Sequence, residues 1–137
     1  MDRRLIEEKL EALRQCVSRV EAKRPTTAKI LAADSDLQDI LALNLTRAVQ
    51  ICVDIAAHII GDSNIPAPET MAQAFDALGE LKIIESELAV RMKKAVGFRN
   101  IAVHSYQAID WEIVFSICHQ NLDDFRRFAR AMARTLQ

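Results

Sequence analysis

The chain has 137 residues, half of them hydrophobic but only 5% aromatic, with three glycines and three prolines. So few turn-makers exclude a sandwich or barrel and point to helices, and the length suits one domain, residues 1–137, with a real core. A formal net charge of -1 excludes a uniformly basic polyanion binder, so any nucleic-acid contact must come from a local patch.

The first apolar-periodic segment, about Asp2 to Arg24, sets Leu10, Leu13, Val17 and Val20 at helical spacing and ends at Pro25. "TTAKILAA" then reads as a short apolar turn. "DSDLQDILALNLTRAVQICVDIAAHIIG" is the clearest helix. Ser35 with Gln38 reads as a capping box, and Gly61 closes the segment. Leu37, Leu41, Leu45, Ala48, Cys52, Ile55 and Ile59 form one stripe between them. At about 1.5 Å per residue this spine is roughly 40 Å long. "DSNIPAP" is the main loop, and Pro68 and Glu69 suit the first turn of a helix running to about Gly79. A further helix begins near Ile84 and carries Leu88, Met92, Ala95 and Val96. Asp110 reads as the N-cap of the last helix, about Trp111 to Arg134, with Val114, Phe115, Cys118, Leu122, Phe125, Phe128 and Met132 inward. No segment alternates as a strand would. The expected fold is all-α, an up-and-down bundle of four main helices plus one or two short ones.

Cys16, Cys52 and Cys118 are far apart and all on apolar-periodic segments, so they read as buried thiols of a cytoplasmic protein rather than as disulfides or zinc ligands. The charged start "MDRRLIEEKL" lacks the apolar core of a signal peptide. Asp54 and His58 interrupt the longest apolar run, so no membrane span is expected. These two residues stand four apart and can meet on one helix face, either as an acid–base pair or, the simpler account, as structural support. His119 precedes Asp123 by four and suggests a surface pair. Two basic patches stand out: Arg91, Lys93, Lys94 and Arg99, and Arg126, Arg127, Arg130 and Arg134. Either can be a solvated helix face. No phosphate loop, metalloprotease signature or serine elbow is present.

The stretch "VGFRNIAVHSY" packs Arg99, Asn100, His104, Ser105 and Tyr106 among small apolar residues. Five residues turn a helix through about 500°, leaving Arg99 and His104 about 140° apart, whereas Asn100 and His104 share a face. A joint Arg/His site therefore wants a helix break near His104 or a second copy of the chain. Spacing alone is more simply met by a plain helix end, with Arg99 reaching solvent, His104 at the helix C-terminus and Tyr106 packing on the bundle.

Arg99, four residues, His104, one residue, Tyr106 resembles the Arg-x4-His-x-Tyr motif of the HepT family of HEPN-domain toxins. The flanks "GFRNIAVHSY", the spine "NLTRAVQICVDIAAHII" and the final "DWEIVFSICHQNLDDFRRF" extend the likeness from about Asp2 to Ala133, with no departure at the motif positions. The resemblance implies a HEPN-like bundle that cleaves RNA without metal or cofactor, as a homodimer with two Arg/His motifs facing one cleft. It also implies a partner, a minimal nucleotidyltransferase antitoxin of the MntA type, which silences the toxin by adding AMP to Tyr106. A larger hetero-oligomer with the antitoxin is open. Under this reading Arg99 and His104 are catalytic, and Asn100, Lys93 and Lys94 position substrate. Asp54 and His58 lend structural support near the site. The alternative is a non-catalytic HEPN module that binds a nucleotide or a nucleotidyltransferase partner.

Overall fold

The structure, a computed structural model, describes residues 2–137. Helix α1 (Arg3–Lys23) starts where the Asp2 carboxylate accepts the Leu5 N–H at 3.1 Å. "TTAKILAA" is a helix rather than a turn: α2 (Ala28–Ala33) is capped by Thr27, whose hydroxyl accepts the Ile30 N–H at 3.2 Å, and is pinned by the fully buried Leu31. The spine α3 (Ser35–Gly61) is capped by Asp34, which accepts the Leu37 N–H at 3.0 Å. The expected Ser35–Gln38 box does not form. Gln38 instead donates to the carbonyls of Leu31 (2.9 Å) and Ala32 (3.2 Å), groups left over at the end of α2.

Helix α4 (Met71–Glu80) begins later than Pro68 and Glu69 suggested. Thr70 is its cap, accepting the Gln73 N–H at 3.1 Å, while the Gln73 side chain accepts the Glu69 N–H at 2.8 Å. Helix α5 (Ser86–His104) follows, then a one-turn 3-10 segment, Tyr106–Ala108. Asp110 caps α6 (Trp111–Ser116) as expected, accepting the Glu112 N–H at 3.0 Å.

The last helix is not one continuous α-helix. A π-helical stretch, Ile117–Asn121, separates α6 from α7 (Leu122–Arg134). Widening the turn leaves a carbonyl to satisfy. Arg24, at the end of α1, donates to the Cys118 carbonyl at 2.9 Å. The His119 ring nitrogen lies 2.7 Å from the Pro25 carbonyl, and its ring sits 4.4 Å from that of Phe115. His119 therefore serves the α1–α6 junction rather than the expected pair with Asp123.

The spine packs against α1, α4, α5 and α7 around one apolar core. Phe75 of α4 and Phe128 of α7 meet edge-to-face at 5.7 Å at its centre. Leu10, Leu37, Ala95 and Phe115, expected inside, are only half-buried, while Ile6 and Cys16 are buried. By length and composition α3 is apolar enough to cross a membrane, a test that the core helix of a bundle also meets, and half of its most apolar stretch is buried inside the bundle. Among the described residues there is no strand. The result is the expected all-α bundle, with α1, α3, α5 and the broken α6–α7 as its long members.

Candidate functional site

Helix α5 stays regular through His104, so the break comes just after the motif histidine, not between it and Arg99. At about 100° per residue, Lys93, Gly97, Asn100 and His104 fall within about 60° of one another. Arg99 lies on the other side, toward the buried line of Leu88, Met92 and Val96. Its Nε is buried with no hydrogen-bond partner, while Nη1 donates to the Asn100 side-chain oxygen at 3.1 Å. Asn100 thus bridges the angular gap, drawing the guanidinium around the helix toward the face that holds His104. His104 itself is exposed at the helix end.

The chain leaves the helix at Ser105 (φ -147°, ψ 55°), whose N–H still reaches the Ile101 carbonyl at 2.8 Å. The Ser105 carbonyl then accepts the Ala108 N–H at 2.7 Å, and the buried Ile109 anchors the turn. This places Tyr106 against α3 and α6. Its hydroxyl donates to the Asp39 carboxylate, and its ring meets Trp111 edge-on at 5.8 Å. Tyr106 remains 40% exposed. Its phenol is pushed up to about 12, first by partial burial and then by the hydrogen bond to Asp39 and the charge of that carboxylate. Neither Asp39 nor Trp111 was singled out in the sequence. Asp39 stands 67 residues from Tyr106, and nothing in linear spacing joins them.

The basic run does not form one surface. Lys93 pairs with Asp76 of α4 at 3.1 Å, and Arg91 pairs with Glu87 (3.3 Å) and Asp124 (3.6 Å). Lys94 borders a groove of about 770 Å³ walled by Val90, Phe98, Ile101, Ile113 and Ile117. In the second patch Arg126 binds Glu21 at 2.5 Å, and Arg127 binds Glu87 at 2.8 Å. These pairs tie α7 to α1 and α5. Arg130 and Arg134 border a separate cleft with Lys82.

Asp54 and His58 do not pair as expected. Asp54 accepts from Gln50 at 3.0 Å and from Lys9 at 3.5 Å, and His58 is exposed. Asp54 also stands fifteen residues beyond Asp39, about 22 Å along α3, which sets it far from Tyr106. All three thiols are buried, and burial raises each of them, Cys118 to about 11. They are packing groups, not nucleophiles.

The family model described as "Ribonuclease HepT-like" matches residues 6–132. A protein of Shewanella oneidensis named mRNA nuclease HepT is 33% identical over 124 residues, 90% of this chain and 92% of that one. A tRNA nuclease HepT of Aphanizomenon flos-aquae is 32% identical over 81 residues, 59% of this chain and 55% of that one. Among solved structures, a tri-AMPylated Shewanella oneidensis HEPN toxin in complex with its MNT antitoxin superposes with a TM-score of 0.89 at 31% identity, covering 98% of this chain and 99% of that one. The chain belongs to the ribonuclease HepT-like family.

Proposed function

We propose that this chain is the endoribonuclease toxin of a cytoplasmic toxin–antitoxin pair, one domain that works as a homodimer with two Arg99/His104 sets lining a shared cleft. One observation carries the reading. The Arg99 guanidinium donates to Asn100, which shares a helix face with the exposed His104, at a helix end followed directly by Tyr106, in a chain similar over nine-tenths of its length to an mRNA nuclease. A second copy answers the geometric difficulty of one helix, on which Arg99 turns inward and His104 outward. Gly97, on the His104 face, supports a close approach there, because a Cβ at that position would meet nothing within 4 Å of its own chain.

In the proposed reaction the ribose 2′-OH attacks the adjacent phosphorus. The P–O5′ bond breaks, and a 2′,3′-cyclic phosphate and a 5′-OH form. A His104 imidazole takes the 2′-OH proton or supplies the one needed by the leaving oxygen. The Arg99 fork faces the extra negative charge on the phosphorane. Lys93 and Lys94 hold flanking phosphates. The exposed Lys93–Asp76 pair exchanges for phosphate at small cost. The partner is a nucleotidyltransferase of the kind bound to the Shewanella toxin, and Tyr106 is where it attaches AMP. An adenylate there brings negative charge two residues from His104 and competes with RNA for Arg99.

The test is cleavage of labelled RNA by the purified chain in EDTA. Wild-type protein cuts. Arg99→Ala and His104→Ala are folded by circular dichroism yet inactive and harmless to growth. Equal cleavage by both variants overturns the proposal.

A further inference from the structure

We infer that the Asp39 carboxylate is the general base that activates the Tyr106 hydroxyl for nucleotidyl transfer. The inference rests on the reading that Tyr106 receives the nucleotide, and adds a residue from a different helix to the acceptor site. Three observations carry it. The Tyr106 hydroxyl donates its hydrogen bond to Asp39 and to no other described residue. Asp39 is exposed near the start of α3 and forms no ion pair with a described lysine or arginine, so its carboxylate is not committed to holding the fold. Trp111 packs edge-on against the Tyr106 ring, which restrains the hydroxyl in place while the residue stays exposed to an incoming substrate.

The chemistry needs such a group. A phenol raised to about 12 is scarcely ionised near neutrality, so its proton must be removed as the bond to phosphorus forms. In the transfer step the Tyr106 oxygen attacks the α-phosphorus of a nucleoside triphosphate held by the partner enzyme. The Oη–Pα bond forms while the bond from Pα to the bridging oxygen of the β-phosphate breaks. Pyrophosphate leaves with that electron pair, the phenol proton passes to Asp39, and Asp39 later returns it to water. His104, two residues from Tyr106, is the rival base at this end of the molecule, and the experiment separates the two.

The experiment measures the rate of first label transfer from α-labelled ATP to purified full-length chain by a minimal nucleotidyltransferase that modifies it. Asp39→Asn is expected to slow transfer about 100-fold or more at pH 7. Asp39→Glu recovers part of the rate, and cleavage of RNA by unmodified Asp39→Asn stays at the wild-type level. The deficit of Asp39→Asn shrinks as the pH rises from 7 to 10, because hydroxide increasingly supplies the missing base. A merely structural carboxylate leaves a deficit that does not vary with pH. Transfer to Asp39→Asn at the wild-type rate, a pH-independent deficit, or loss of transfer in His104→Gln instead overturns the inference while leaving Tyr106 as the target. Label that persists in Tyr106→Phe overturns the underlying reading, and this inference with it.

Discussion

Asn100→Ala isolates the part of the site that spacing could not explain. The substitution removes the oxygen that Arg99 Nη1 reaches at 3.1 Å and leaves the rest of α5 untouched. A hydrogen bond to a charged group is worth about 1.5–3 kcal/mol when well buried. Asn100 is exposed and only the inner part of Arg99 is enclosed, so the lower end applies, about 1.5 kcal/mol or roughly a tenfold loss in kcat/KM for RNA cleavage. The same lost bond also costs stability, by up to about 1.5 kcal/mol, and the better helix propensity of alanine offsets up to about 0.7 kcal/mol of it, so the melting temperature falls by no more than about 5 °C and the chain stays folded in the cleavage assay. Asn100→Asp sharpens the test. It keeps an acceptor for Arg99 but adds a negative charge beside it, and is expected to cleave more slowly than Asn100→Ala. Steady-state cleavage of a labelled oligonucleotide together with thermal melting supplies both readouts. Asn100→Ala at full activity, or Asn100→Asp faster than Asn100→Ala, refutes the view that Asn100 acts by holding the guanidinium.

Further outcomes are expected elsewhere in the molecule. Gly97→Ala meets no atom within 4 Å and removes a mid-helix glycine, so it raises the stability of the isolated chain by about 0.5–1 kcal/mol, seen as about 2–3 °C in thermal melting, while slowing cleavage at the face it narrows. Arg24→Met leaves the Cys118 carbonyl of the π turn without its donor and lowers stability by about 1–3 kcal/mol, or about 3–10 °C. Tyr106 is the one tyrosine, so ultraviolet titration reads it alone, with a midpoint near 12 in the folded chain and nearer 10 in denaturant. The folded value is the raised one, so this hydroxyl contributes stability that is fully present below about pH 10 and lost as the pH climbs through about 12.

The long helices were legible because their apolar residues recur at helical spacing over many turns, as in Leu41, Leu45, Ala48, Cys52 and Ile55, all of which are buried. Starts and short pieces were not. Asp34 and Ser35 are adjacent and both good caps, and only the position of α2 decides that Gln38 serves the carbonyls behind it. Helix α2 has six residues, too few for a period to register. The π turn keeps Cys118 and Leu122 inward, so the apolar pattern across it resembles that of an unbroken helix. The motif stretch was legible as a set of residues and as a resemblance. The groups that condition it, Asp39 and Trp111, come from other elements and meet Tyr106 only once the bundle has closed.

The contact between Tyr106 and Trp111 has an optical consequence. They are the only tyrosine and the only tryptophan in the chain, and their rings are 5.8 Å apart. The indole is therefore a built-in fluorophore at the tyrosine, whose emission reports any group attached to that hydroxyl. Attachment of a group to Tyr106 becomes a signal that can be followed continuously in unlabelled protein.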